Sequence, residues 1–217
     1  MAARRTAALL LLLVLLTSCA GEGDRRSGPA SGPFPTTAGS GPSPTTAGSA
    51  PSVDPTDAAW VQLMIPMDEQ ALVLLDLAAG KATGPGLRSW AARLRTAQAG
   101  ELAGLRGLRD RMGLPDTDLH KGHDMPGMVT AEDLDRARAA RGTSFDRLLV
   151  TRIHDHLRQS EQVSRSATAA GGSADARARA RALVAARGEQ LAALTDLCAG
   201  RVADVPEPFA CPSDHPV

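Results

Sequence analysis

Four segments of the chain repeat apolar residues at the three- and four-residue spacing of an amphipathic α-helix. The pattern predicts long helices over about residues 57–79, 87–112, 144–169 and 174–199. Each segment is longer than the typical strand, and none shows the strict alternation of apolar and polar residues that a half-buried strand requires. The hydrophobic pattern therefore predicts an all-α domain.

Glycine and proline divide these helices into two pairs. Gly84-Pro85-Gly86 separates the first two helices and Gly171-Gly172 the last two, so each pair is expected to form an antiparallel hairpin. A longer crossover, residues 113–130, joins the hairpins. Thr130-Ala131-Glu132-Asp133 has the form of a capping box and opens a short helix to about residue 140. The predicted fold is an antiparallel four-helix bundle built from two helical hairpins.

One more apolar segment, residues 7–16, is too short to span a bilayer, which takes about 20 apolar residues. Arg4 and Arg5 precede it, which is typical of a secretory signal peptide over residues 1–18. Cys19 follows three residues after Leu16, an arrangement that resembles the bacterial lipobox. The resemblance implies that Cys19 carries lipid, palmitate included, in the mature protein. The alternative is an ordinary signal peptide with a chance cysteine.

A tract with almost no large apolar residue follows Cys19. It contains a near-exact duplication of nine residues, 32–40 and 41–49, rich in Pro, Thr, Gly and Ser. Such a composition cannot bury enough surface to offset chain entropy. We therefore expect residues 19–55 to be a disordered tether, residues 56–200 to be the bundle domain and residues 201–217 to be an irregular tail. The lipid would anchor the domain outside the cytoplasm, on the bacterial cell membrane.

The composition agrees with this arrangement and excludes one class of partner. The chain has 217 residues, no Tyr, three Phe and two Trp, so its core must use Leu, Ala, Val and Met. The signal segment contains two of the 24 basic residues and none of the 24 acidic ones, which leaves a mature charge of about −2. No excess of basic charge points to nucleic acid as a partner.

Two cysteines remain besides Cys19. Cys198 and Cys211 lie near the end of the chain, and in an exported protein they are expected to form a disulfide bond. That bond would fasten the tail to the last helix. Two free thiols are the alternative.

Polar and sulfur-containing side chains fall on the apolar faces of the predicted helices. At about 100° per residue, each long helix directs at least one of them inward. They are Met67, Asp68, Gln98, Glu101, His156, Arg187 and Gln190. Two arrangements would satisfy them: a metal held in the bundle core, or an ion-pair cluster in which Asp68 and Glu101 meet Arg187. A guanidinium stays protonated and repels a cation, so Arg187 favours the ion-pair cluster.

The crossover contains a second candidate site. His120, His123, Met125 and Met128 lie within nine residues, and imidazole with thioether is a ligand set for copper, Cu(I) in particular. The alternative is that the methionines cover one end of the bundle while the histidines remain solvated.

Several of these motifs resemble those of domain-of-unknown-function family 305, a ferritin-like group of exported bacterial proteins. The matching residues are Met64-Ile65-Pro66, Gln98 with Glu101, the loop His123-Asp124-Met125-Pro126-Gly127-Met128, and Phe145-Asp146-Arg147. The loop is the most specific part of the match. The resemblance covers about residues 57–199 and implies a ferritin-like bundle and the copper binding of some family members.

The chain departs from the family pattern at the inward-facing positions. Met67-Asp68 replaces one His-His pair, His156-Leu157 replaces the other, and Arg187 with Gln190 replaces the second Gln-x-x-Glu. Three of the four histidines that the pattern contains are therefore absent. The resemblance thus implies a divergent member whose core metal site is lost or altered, with the loop as the remaining metal candidate.

The sequence favours a non-enzymatic lipoprotein that binds copper or another soft metal through the loop. The alternative is a structural or interaction module of the cell envelope with a degenerate metal site. An enzyme is disfavoured, because the chain lacks paired Glu-x-x-His motifs, a Gly-x-Ser-x-Gly turn and a phosphate loop. The expected partners are the membrane, through Cys19, and a metal ion. The sequence names no protein partner.

Overall fold

The computed structural model describes residues 53–117, 120 and 124–201. Within these residues the chain forms five α-helices and no β-strand. They are α1 (Pro55–Lys81), α2 (Pro85–Arg111), α3 (Ala131–Ala139), α4 (Gly142–Ala170) and α5 (Ala174–Cys198). The all-α prediction is confirmed, and each predicted boundary lies within two residues of the observed one.

Some predictions concern residues outside those described. They include the signal peptide with Cys19, most of the tether, His123, and the tail with Cys211. These stay predictions. Among the helices that the structure describes, none is long and apolar enough to cross a bilayer.

The four long helices pack as two hairpins. Three residues join α1 to α2, and three join α4 to α5, so the helices of each pair run antiparallel. In addition, α1 packs along α4 and α2 packs against α5, so each long helix contacts two others. This is the arrangement expected of a four-helix bundle. The short helix α3 packs against α1 and α4.

Side-chain caps set the starts of three helices. Asp54 accepts hydrogen bonds from the backbone N–H groups of Thr56 and Asp57 at the start of α1. Thr130 and Asp133 form the predicted capping box at the start of α3. Ser173 accepts from the backbone N–H of Ala176 at the start of α5. These bonds satisfy N–H groups that have no partner within the helix, which explains why the boundaries were readable from the sequence.

The apolar core consists of two clusters, one towards each end of the bundle. The first contains the buried apolar residues within 71–78 of α1, 87–94 of α2, 145–157 of α4 and 194–198 of α5 among its members. The second contains the buried apolar residues within 60–67 of α1, 102–108 of α2 and 176–183 of α5, with Ala167 of α4. Between these segments lie Asp68, Gln98, Ser160 and Arg187, all fully buried. A polar layer therefore interrupts the core on every long helix.

The turn between α4 and α5 lies against the start of α1. The buried Asp57 carboxylate accepts a hydrogen bond from the backbone N–H of Ser173 at 2.6 Å. A Cβ atom on Gly171 would lie 2.3 Å from Asp57 Oδ1 and 2.7 Å from the Ala167 carbonyl oxygen. No real Cβ contact is that short, so this close approach requires glycine at position 171.

We predict that Gly171→Ala lowers the free energy of unfolding by about 1–3 kcal/mol, because the new methyl group forces the turn away from Asp57. The midpoint of urea unfolding measures this change. Gly188→Ala is the matched control, since Gly188 lies inside α5 with nothing within 4 Å of an added Cβ. There the same substitution should stabilise the protein by roughly 0.5–1 kcal/mol. Equal effects at both positions would contradict the prediction.

Candidate functional site

Seven polar side chains from the four long helices form one layer across the bundle, called the polar layer below. They are Asp68 of α1, Gln98 and Glu101 of α2, His156 and Ser160 of α4, and Arg187 and Gln190 of α5. All except Glu101 and Gln190 are fully buried. Charges and amides so far from water are costly unless they meet partners, so their mutual contacts determine what the layer can do.

The Arg187 guanidinium lies at the centre of the polar layer. Its Nη1 donates to Glu101 Oε2 at 2.5 Å and to Gln190 Oε1 at 2.8 Å. Its Nη2 donates to Asp68 Oδ1 at 3.2 Å, and its Nε donates to Ser160 Oγ at 2.7 Å. One side chain of α5 is therefore hydrogen-bonded to α1, α2 and α4 at once. Two carboxylates face a cation that cannot be deprotonated, as an ion-pair cluster requires.

Ser160 is the member of this layer that the sequence reasoning missed. It follows His156 by four residues, so both lie on the inward face of α4. That spacing was a usable signal, but serine is common on exposed helix faces as well. The contact with Arg187 gives the hydroxyl its role, because it satisfies the guanidinium Nε–H at 2.7 Å.

His156 is a buried, neutral imidazole. Burial lowers its pKa to about 3, and the positive charge of Arg187 acts in the same direction. The Gly127 backbone lies beside the ring and opposes this shift in pKa. Nε2 lies 3.5 Å from Asp68 Oδ1. The contact with the Gly127 backbone falls short of full hydrogen-bond geometry, and neither ring nitrogen has another partner in the part of the chain that the structure describes.

The Asp68 carboxyl shows the opposite shift. Burial raises its pKa to about 7, Arg187 partly counteracts this, and the negative charges of Glu101 and Glu69 raise it further. In mildly acidic solution the proton of the layer therefore resides on Asp68 and not on His156.

Several buried atoms of the layer have no hydrogen-bond partner in the described part of the chain. Besides the two nitrogens of His156, they are Asp68 Oδ2 and both polar atoms of the Gln98 amide. An unsatisfied buried polar group costs about 1–3 kcal/mol. Arg187 thus balances the charges of the layer, but part of the hydrogen-bonding capacity of Asp68, Gln98 and His156 remains unused.

The end of the crossover loop lies directly on α4. Gly127 has φ +73°, a left-handed conformation that favours glycine. A Cβ there would lie 2.3 Å from Gln159 Cβ and 2.8 Å from the Asp155 carbonyl oxygen. Met128 beside it is buried, and Met125 is partly exposed. The Met-Pro-Gly-Met segment is therefore held against the helix that contributes His156.

The loop methionines join those of the helices. Met128 belongs to the same apolar cluster as Met64 and Met67, and Met125 and Met112 pack at its margin. Every methionine after Met1 is thus in or against this cluster. Met67, predicted to point inward, is 1 % exposed and precedes Asp68 of the polar layer. The thioethers adjoin the polar layer through the pair Met67-Asp68.

The structure describes some of the remaining predicted site residues and not others. His120 is partly exposed, and His123, Cys19 and Cys211 lie outside the described residues. Cys198 is disulfide-bonded and buried at the end of α5. Its pairing with Cys211 stays a prediction. No group of three or more His, Cys, Asp or Glu side chains in the described ranges is spaced to hold a metal ion.

The two shifted pKa values predict opposite pH dependences that nearly cancel. Because the pKa of Asp68 is raised in the folded state, Asp68 lowers stability as pH rises from about 4 to 7. Because the pKa of His156 is lowered, His156 lowers stability as pH falls from about 6.5 towards 3. Between about pH 4 and 6.5 the unfolded chain holds the proton on His156 and the folded chain holds it on Asp68.

Single substitutions should separate the two effects. The quantity to compare is the slope of the free energy of unfolding against pH between about pH 4.5 and 6. Asp68→Asn should make this slope more positive than that of the wild type by about 1 kcal/mol per pH unit. His156→Gln should change the slope by a similar amount in the negative direction. Urea unfolding at several pH values measures both slopes. Two variants with the slope of the wild type would contradict the assignment of the proton to Asp68.

Comparisons with known proteins place this geometry in a family. The family model described as "Domain of unknown function (DUF305)" matches residues 57–198. No curated protein matches the chain. Among solved structures, a DUF305 fragment from Deinococcus radiodurans has a TM-score of 0.64 at 17% identity and covers 70% of this chain and 100% of its own.

Two further structures share the fold. A DUF305 protein from Streptomyces coelicolor, assigned as secreted, has a TM-score of 0.60 at 19% identity, covering 69% of this chain and 95% of its own. CopM in the Cu(II)-bound form has a TM-score of 0.58 at 16% identity, covering 67% of this chain and 97% of its own. At these identities the likeness concerns the fold alone. The family model, matched over most of the chain, carries the assignment that the sequence motifs predicted: this protein belongs to the DUF305 family.

Proposed function

We propose that this protein is a non-enzymatic, extracytoplasmic lipoprotein that binds copper or another soft metal through the crossover loop. The candidate ligands are His120, His123, Met125 and Met128. The observation that carries the proposal is the anchoring of the loop: Gly127 and Met128 are held against the bundle, whereas Met125 and His120 remain partly exposed. Soft donors on a fixed support suit Cu(I).

The roles of the two loop methionines differ in this proposal. Met128 is only 6 % exposed and belongs to the same apolar cluster as Met64, so its first role is to hold the loop in place. Met125 is more accessible and would supply the thioether at the surface. Asp124 beside it is exposed and adds negative charge next to the cation. Imidazole from His120 and His123 would complete a ligand set of nitrogen and sulfur.

The polar layer does not fit a metal. Its centre is taken by the Arg187 guanidinium, a permanent positive charge that is bonded to both carboxylates. The structural neighbour CopM, in a Cu(II)-bound form, supports metal binding by this chain. The charge of Arg187 is the reason that the proposal assigns the metal to the loop.

The proposed location rests on the amino-terminal residues. The lipid on Cys19 would anchor the protein to the membrane, and residues 20–52 would hold the domain away from it. DUF305 membership and the structural neighbour assigned as secreted support a position outside the cytoplasm. The membrane is the one macromolecular partner that the proposal names.

We expect Met125→Leu to weaken Cu(I) binding at least about tenfold, since loss even of an outer-shell partner commonly costs 10- to 100-fold. Titration with Cu(I) against a competing chelator measures the affinity. Met64→Leu is the matched control: it makes the same chemical change at a fully buried methionine of the same cluster. Its affinity should stay at the wild-type value. Equal and weak Cu(I) binding by the wild type, Met125→Leu and Met64→Leu would contradict the proposal.

The second candidate function is a structural or interaction module of the envelope. The observation that favours it is the same guanidinium, which fills the bundle core with an ion-pair cluster. This function predicts that protein purified from its native host contains no stoichiometric metal. Elemental analysis of that protein separates the two candidates, because copper at one ion per chain supports only the first.

A further inference from the structure

The oxygen atoms that accept hydrogen bonds from the Arg187 guanidinium resemble the ligands of a bound cation. Four oxygen atoms from four side chains accept its hydrogen bonds, at distances of 2.5–3.2 Å. Two of the four are carboxylate oxygens, from Asp68 and Glu101, and the others come from Ser160 and Gln190. Each of the four long helices contributes one of these oxygen atoms.

One pair of atoms in the polar layer already has the spacing of two metal ligands. Asp68 Oδ1 and His156 Nε2 are 3.5 Å apart. Two ligands on a tetrahedral Zn²⁺, each at about 2.0–2.2 Å, lie roughly 3.4 Å from one another. An imidazole nitrogen and a carboxylate oxygen are common ligands of this ion.

The same side chains have unused bonding capacity. Within the described residues neither ring nitrogen of His156 has a well-formed hydrogen bond, and the ring contacts the Gly127 backbone and Asp68 Oδ1. Asp68 Oδ2 is likewise without a partner within the described residues. These polar atoms belong to fully buried side chains of the layer, and Arg187 donates a hydrogen bond to none of them.

We propose that Arg187 is a built-in cation occupying a latent metal site formed by Asp68, Glu101 and His156, and that removing its guanidinium allows the polar layer to bind a divalent metal ion. In the native protein the guanidinium excludes the ion in two ways. It repels the ion by its charge, and it lies between the carboxylates so that they cannot converge.

The proposal is independent of the loop. It concerns residues of α1, α2, α4 and α5, and it would hold whether or not His120 and Met125 bind copper. Because the loop is unchanged in every variant below, any metal that it binds is the same in all of them. The measured quantity is therefore the difference between variants.

The experiment titrates the full protein with Zn²⁺, with the wild type beside Arg187→Ala and Arg187→His. The first variant opens the space, and the second fills part of it with another imidazole ligand. We expect each variant to bind one more Zn²⁺ per chain than the wild type by calorimetry. We also expect Zn²⁺ in about hundredfold excess over Kd to raise the Tm of each variant by roughly 5 °C or more.

Two controls test the ligand assignment. Arg106→Ala removes an exposed arginine that pairs with Glu69 at 2.7 Å on the surface, and it should gain no Zn²⁺. Glu101→Gln added to Arg187→Ala removes one proposed ligand, and it should weaken the gained site at least about tenfold. A gain that persists unchanged with Glu101→Gln would place the ion elsewhere and overturn the proposal.

Loss of Arg187 leaves carboxylates without their partner, so a variant can fail to fold in the absence of metal. In that case far-UV circular dichroism should show folding on addition of Zn²⁺, as in small domains whose metal sites are structural. If neither variant gains Zn²⁺ binding or Zn²⁺-dependent folding, the polar layer is not a latent metal site. Wild-type protein that binds Zn²⁺ within the layer would also overturn the proposal.

Discussion

The Arg187 guanidinium is hydrogen-bonded to the three other long helices at once, and the arrangement of the bundle depends on these bonds. Asp68, Glu101 and Ser160 accept from it at distances of 3.2, 2.5 and 2.7 Å. Removing one partner from a buried ion pair typically costs about 3–5 kcal/mol, because the other charge is left without compensation. This penalty favours one register of the helices, the one in which the polar residues of all four meet at the same level.

The polar layer divides an otherwise ordinary helical core. Aliphatic and aromatic side chains fill one half, and the methionine-rich cluster around Met64 fills the other. At the boundary, burial keeps His156 neutral and moves the proton of the layer to Asp68 in mildly acidic solution. The layer thus reduces its buried charge by protonation as well as by pairing.

The core and the loop serve separate purposes in this interpretation. Arg187 would close the interior to cations, whereas Gly127 and Met128 hold the loop against the bundle and leave Met125 and His120 partly exposed. Because the copper proposal depends on the loop and the latent-site proposal depends on the polar layer, each can fail without the other.

The sequence by itself determined the helices, their ends and the inward position of the polar residues. Helical periodicity, capping residues such as Thr130 and glycine at the turns are local signals, and the observed boundaries agree with them within two residues. The family resemblance came from local motifs in the same way.

Only the tertiary structure decided which inward residues meet. Ser160 gained its role through the Arg187 Nε–H, and Gly127 came to lie beside His156, because these contacts join residues 27 and 29 positions apart along the chain. The periodicity of a helix fixes the direction of a side chain, but the packing of four helices fixes its neighbours.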